Sequence, residues 1–229
     1  MSSLVSYLII CSITVILCAM FVIWQTPKMM LFSQVFKGLA SFSFVTLGLF
    51  SIYFNGQYNI GFVFFALGLI ASCFGDVFLA QVDSPSFGKQ KVIFSGMLAF
   101  SVAQIMYYVA MIVFYGFAWW AVVVGIIVAV GVVFGEKLLK LNYGKVKPMV
   151  AVYSFLLIVN VAQSLFCVIK TAGAISTWLL FIGYVMFFIS DLILSFIYFS
   201  AKPSQKLTFA NLGAYYLAQI LIAGALMFI

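Results

Sequence analysis

Histidine and arginine are both absent from the 229 residues, and only Asp76, Asp83, Glu136 and Asp191 are acidic. Without imidazole, zinc and non-haem iron lose their commonest ligand, so metal centres of those kinds are disfavoured and no cofactor is implied. No histidine stands ready to activate a serine or cysteine, and no Gly-x-Ser-x-Gly elbow occurs. Phosphate-cradling glycine loops are missing as well. Cysteine is sparse: Cys11, Cys18, Cys73 and Cys167 lie inside apolar stretches without metal-type spacing and read as buried thiols. All eleven basic residues are lysines, and they sit at the ends of apolar stretches. A basic face with interleaved aromatics is lacking, so no nucleic-acid partner is expected.

What the chain has in abundance is apolar surface. Hydrophobic residues make up 67% of it and charged ones 7%, with a mean hydropathy of +1.29. A soluble domain so composed would have no polar surface to turn to water, so lipid is the solvent for most of the exterior. Apolar segments fall at 4–24, 34–54, 58–80, 92–115, 117–135, 148–169, 174–199 and 207–229. Between them lie Gln25-Thr26-Pro27-Lys28, Asn55-Gly56-Gln57, Asp83-Ser84-Pro85, Glu136 to Lys147 and Lys202-Pro203-Ser204, with weaker breaks near Gly116 and Lys170–Gly173. The expected fold is all-α, a polytopic membrane bundle of about eight transmembrane helices forming one domain over 1–229.

Eight spans put both termini on one face. The loops of the opposite face hold Lys28, Lys37, Lys89, Lys91, Lys137, Lys140, Lys145, Lys147, Lys202 and Lys206, and the termini's face holds only Lys170. The positive-inside rule then makes the lysine-rich loops cytoplasmic and puts both termini outside, in the inner membrane if the source is bacterial.

A repeat organises the chain. Span 3 reads Gly68, then Gly75-Asp76-Val77-Phe78-Leu79, and span 7 reads Gly183, then Ser190-Asp191-Leu192-Ile193-Leu194, the two aspartates lying 115 residues apart. In the same register Lys91 meets Lys206, Phe94 meets Phe209, and Ala103-Gln104-Ile105 meets Ala218-Gln219-Ile220. The expectation is a tandem duplication of a four-helix unit, with halves at about 1–116 and 117–229, related by a pseudo-two-fold along the membrane normal.

Asp76 and Asp191 stand out chemically. A carboxyl inside a span is costly unless it faces a cavity or a polar partner. Both lie roughly 6–12 Å inside the lysine-rich ends of their spans at about 1.5 Å per residue. Two nearby carboxyls in such a place divide into an acid and a base; the plainer alternative is a hydrogen-bonded pair that holds helices together. Gln104, Gln219, Asn160, Tyr107, Tyr108, Tyr215 and Tyr216 occupy the same layer, and Lys37 enters from the lysine-rich side. Together they describe a polar cavity open to that leaflet, with Gln163 nearer the opposite face.

Gly75-Asp76-Val77-Phe78-Leu79, then Gly96, Phe100, Gln104 and Tyr107, then Phe188-Ile189-Ser190-Asp191-Leu192-Ile193-Leu194, then Tyr215-Tyr216-Leu217-Ala218-Gln219-Ile220-Leu221 resemble the YhhN family, which includes the mammalian lysoplasmalogenases. Lys37-Gly38 stands where that family commonly has Lys-Pro, and Gln104 where a histidine would be expected. The resemblance implies an ether hydrolase that opens the vinyl-ether bond of lysoplasmalogens, giving a fatty aldehyde and a glycerophospho-alcohol. Asp76 and Asp191 would share the acid and base roles, a division familiar from glycoside hydrolysis. Gln219 and Tyr215 would orient water or substrate, with Gln104, Tyr107 and Asn160 also lining the substrate site. Lys37, with Lys91 or Lys206, would hold the phosphate of the lysophospholipid, whose chain comes from membrane lipid. The competing expectations are a proton-coupled transporter, since carriers also use duplicated halves and paired acids, and a non-catalytic lipid-binding protein.

Overall fold

The computed structural model of the protein describes residues 3–24, 30–82, 88–200 and 205–229. Among these the regular elements are all helical: α1 (Ser3–Trp24), α2 (Met30–Asn55), α3 (Ile60–Leu79), α4 (Lys89–Tyr115), α5 (Trp119–Leu138), α6 (Lys147–Lys170), α7 (Ile175–Phe199) and α8 (Gln205–Ala225), with a short 3-10 turn at Gly144–Val146 before α6. Seven of them are long and apolar enough to cross a membrane, and α1 adds a shorter apolar stretch, Val5–Phe21. The expected breaks at 25–28, 83–85 and 202–204, and Asp83 with them, lie outside the described residues.

Helix ends differ from the apolar segments in a consistent way. The α4 helix starts at Lys89 and α5 runs through Glu136 and Lys137 to Leu138, so the break foreseen from Glu136 begins only at Leu139. Charged residues can occupy a terminal helical turn because long side chains carry their heads outward to the interface while the stems stay apolar. The weak breaks are both real turns. Gly116, at φ 88°, ends α4, and Gly173, at φ 83°, follows α6. Both adopt a backbone that glycine tolerates at no steric cost.

Burial is inverted relative to a soluble protein. Phe134 is 78% exposed and Ile127 64%, whereas Gln104, Asn160, Gln163 and Gln219 have no exposure. That pattern fits an apolar solvent outside and hydrogen-bonded polar groups within. The contacts fall into matched pairs: α1 lies on α2 as α5 lies on α6, α2 on α3 as α6 on α7, α3 on α4 as α7 on α8, and α8 on α2 as α4 on α6. In addition α1 packs along α8. Of α5, only Ala121, Gly125 and Ala129 are buried. These small residues, four apart on one face, let the helix approach α6 closely, where Gly125 sits against Val159 and Phe155. Past Ala129 the helix has no buried residue, and Val132 lines a cavity there.

Polar ties close both ends of the bundle. Gln163 receives the Ala118 N–H at 3.1 Å and donates to the Gly116 carbonyl at 2.7 Å. Lys170 donates to the Tyr115 carbonyl at 2.5 Å. The lone lysine and the off-layer glutamine of the termini's face are thus both spent on the α4–α5 turn. At the other end Glu136 pairs with Lys147 at 2.6 Å and accepts the Tyr143 N–H at 2.8 Å, while the Asn142 N–H reaches the Phe199 carbonyl at 2.9 Å.

Candidate active site

The last turn of α3 carries Asp76 into the bundle, where it is 3% exposed. Lys37 and Ser41, four residues apart and so on one face of α2, meet it. The Ser41 hydroxyl donates to Asp76 Oδ2 at 2.6 Å, and Lys37 Nζ lies 3.8 Å from Oδ1. From α8 the Tyr215 hydroxyl donates to Oδ2 at 2.7 Å. Tyr215 in turn accepts from Gln219 Nε2 at 3.1 Å, and Tyr107 donates to Gln219 Oε1 at 3.3 Å. Because the Tyr107 proton is used there, Ser72, 3.3 Å away, donates to the Tyr107 oxygen. One connected network therefore joins Lys37, Asp76, Tyr107, Tyr215 and Gln219, with its donors converging on a single carboxylate.

Asp191 has different company. It faces an open cavity of about 120 Å³ between α4, α5, α6 and α7. Leu79, Met97, Phe100, Val132, Val150, Leu157 and Phe188 are among its apolar lining, and among the described residues Asp191 is the one acidic side chain in the wall. Its Oδ2 accepts a hydrogen bond from the Tyr153 hydroxyl, which also faces the cavity. The space runs from Phe188 to Phe199 on α7 and from Val150 to Ile158 on α6, about 16 Å and 12 Å at 1.5 Å per residue. Tyr143 closes it at the lysine-rich end, where its ring meets Phe199 edge-on at 5.0 Å. Burial, reinforced by the Glu136 charge, raises the Tyr143 hydroxyl's pKa and keeps it a neutral phenol there.

The polar layer read from the sequence is thus divided among three places. Gln104 and Asn160 belong to neither the Asp76 network nor the cavity wall. Asn160 Nδ2 donates to the Gln104 backbone carbonyl and to its Oε1, both at 2.9 Å, and to the Leu156 carbonyl at 3.0 Å. Lys37 is turned inward on Asp76, while Lys91 and Lys206 are exposed. The cavity is lined chiefly by apolar side chains, where a polar one was expected. The two carboxyl groups have separate hydrogen-bond partners, Ser41 and Tyr215 for Asp76 and Tyr153 for Asp191. Aromatic rings connect their surroundings: Phe100, in the cavity wall, meets Tyr215 at 5.9 Å and Phe187 at 6.1 Å, both edge-on.

Three residues of these networks were not singled out from the sequence. Ser41 had a usable signal, one helical turn beyond Lys37. Ser72 likewise sits one turn before Asp76 on α3. Tyr153 had none, since it is a lone tyrosine in an apolar run, and only the fold aims it at Asp191.

Among known proteins, the model of the YhhN family matches residues 13–226. No curated protein matches the chain, and no solved structure does.

Proposed function

The chain belongs to the YhhN family over nearly its whole length, and from that premise we propose that it is a multi-pass membrane hydrolase of single-chain vinyl-ether lysophospholipids. The observation that carries the reading is Asp191, the one acidic group among the described residues in the wall of a chiefly apolar cavity. Such a wall accepts the alkenyl chain from the bilayer. The phosphate remains at the lysine-rich end, where Lys140 and Lys145 are exposed.

Vinyl-ether hydrolysis begins with slow proton transfer to the carbon next to the one bearing oxygen. Asp191 delivers that proton, the double bond's electrons form the new C–H bond, and an oxocarbenium ion results. Asp191, now ionised, takes a proton from water as the water oxygen bonds to the cationic carbon. The hemiacetal collapses to a glycerophospho-alcohol and a fatty aldehyde, so one water is consumed and no oxidant is needed. Asp76 has three donors around it, Ser41, Tyr215 and Lys37. That setting holds an ionised carboxylate, whose charge favours the cation formed beside Asp191. Tyr215 and Gln219 fix Asp76 in place. No metal takes part in this scheme.

The tandem-repeat reading belongs to the same proposal. It is supported by the matched helix pairs and by the location of Asp76 and Asp191 at corresponding points of α3 and α7. The halves have diverged around their acids, one enclosed with a lysine and one facing the cavity. Cytoplasmic lysine-rich loops and external termini complete the proposal, and a reporter fused at the C-terminus that is active only outside the cytoplasm checks that orientation.

The test is aldehyde release from lysoplasmenyl-ethanolamine by the purified protein, beside Asp191→Asn and Asp76→Asn variants shown to be folded. Wild-type turnover, reduced by about 10²–10⁴ in Asp191→Asn as befits loss of a general acid, is expected. Equal turnover in the variants removes the aspartates from the scheme. Lipid uptake into proteoliposomes without aldehyde would identify a carrier instead.

A further inference from the structure

We propose that Gln219 is a positioning residue for the Asp76 carboxylate: clamped between two tyrosines, its amide aligns four hydrogen bonds in one direction, from Ser72 to Asp76, and strengthens the last of them. This rests on the reading of Asp76 as the ionised partner of Asp191.

The direction follows from the carboxylate end. Lys37 Nζ stands 3.8 Å from Oδ1, and the carboxylate that it faces has acceptors only. The Tyr215 hydroxyl, 2.7 Å from Oδ2, therefore spends its single proton there. Its oxygen has only lone pairs left for Gln219, so the amide atom 3.1 Å away is the nitrogen, Nε2. That choice fixes the rest. Oε1 is turned to Tyr107, whose hydroxyl donates to it at 3.3 Å, and Ser72 donates to Tyr107 at 3.3 Å. Ser72, Tyr107 and Gln219 have no exposure, and Tyr215 and Asp76 have 5% and 3%. Solvent therefore supplies no competing partners along the line.

Packing holds the amide in place. Tyr215 and Gln219 are four residues apart, so one face of α8 carries both. The Tyr215 ring meets Phe44, Phe100 and Phe187 edge-on at 6.3, 5.9 and 5.5 Å, and the Tyr107 ring meets Tyr184 edge-on at 6.1 Å. These rings fix the two hydroxyls on either side of Gln219. Tyr107, Tyr215 and Gln219 all stand outside the wall of the Asp191 cavity, so their effect on the reaction passes through Asp76 and not through substrate contact. Hydrogen bonds in a row polarise one another, each gaining on the order of 10–30%. Donation from Gln219 makes the Tyr215 hydroxyl a stronger donor to Oδ2, which keeps the carboxylate charged and oriented.

The experiment compares wild type, Gln219→Met, Tyr215→Phe and the double variant in detergent micelles, with two readouts. Methionine keeps the length of glutamine without its amide, and the Tyr107 proton then turns to Ser72. For the vinyl-ether lysolipid, kcat is expected to fall about 10–100-fold in Tyr215→Phe, as for a lost hydrogen bond to a charged group. In Gln219→Met it should fall about 2–5-fold, the smaller effect of lost polarisation, with KM unchanged in both variants. The double variant should be no slower than Tyr215→Phe, because Gln219 acts only through Tyr215. The second readout needs no turnover. The infrared carboxylate band of Asp76, isolated by difference against Asp76→Asn, should shift in Gln219→Met and further in Tyr215→Phe. An unshifted band in Gln219→Met, or losses in kcat that multiply in the double variant, overturns the proposal. A wild type that releases no aldehyde sinks the hydrolase reading instead, while the band still decides whether Gln219 acts on Asp76.

Discussion

Replacing Lys37 by methionine and Asp76 by asparagine, singly and together, asks what the buried charge pair contributes. Lys37 Nζ and Asp76 Oδ1 are 3.8 Å apart, which corresponds to roughly 4 kcal/mol of attraction at an effective dielectric of about 20. Removing one partner leaves the other charged and enclosed, a change that costs about 3–5 kcal/mol. In Lys37→Met the carboxylate keeps Ser41 and Tyr215, at 2.6 and 2.7 Å, which puts that variant at the lower end of the range. In Asp76→Asn the ammonium loses its only counter-charge among the described residues, placing that variant at the upper end. The double variant has a neutral amide opposite an apolar side chain and leaves no unpaired charge. Its loss should therefore be well below the sum of the singles, with a coupling of about 2 kcal/mol or more. Reversible unfolding in mixed detergent micelles, followed by tryptophan fluorescence, measures all three. Strictly additive losses would show that the two charges do not act as a pair, and the account of the Asp76 network would fail with them.

Two further outcomes are expected. Ser154 lies in the cavity wall, so Ser154→Trp should fill the space, raise KM for long-chain lysolipids at least tenfold and leave unfolding within about 1 kcal/mol of wild type, given the partly open surroundings; unchanged KM would place the chain elsewhere. Gln163→Leu strands the Ala118 N–H and the Gly116 carbonyl, at about 1–3 kcal/mol for a buried group left unpaired. Hydrogen exchange at residues 116–118 should speed up accordingly while aldehyde release is unaffected.

The fold was legible wherever apolar length decides it. Each segment between polar breaks became a helix, because in lipid the backbone must satisfy its hydrogen bonds within the segment. The ends were less legible, since Lys89 and Glu136 read as loop but extend helices whose side chains reach past the apolar layer. For the site, the two aspartates could be chosen from sequence because an acid in a span always needs a reason. Their separate settings could not. Nothing in the spacing of Lys37 and Asp76 announces that they pair across α2 and α3, and nothing in the run around Tyr153 says that it faces Asp191. Gln104 and Asn160 read as polar residues at the right depth, but only their rotation about α4 and α6 turns them toward each other and behind the cavity wall.

Aldehyde released in heavy water tests the central claim most directly. If a carboxyl facing the cavity protonates carbon, the product formed by the purified protein in D₂O carries one deuterium on the carbon next to the carbonyl, and Asp191→Asn forms almost none. Aldehyde without that deuterium, or no aldehyde from a folded wild type, would contradict it.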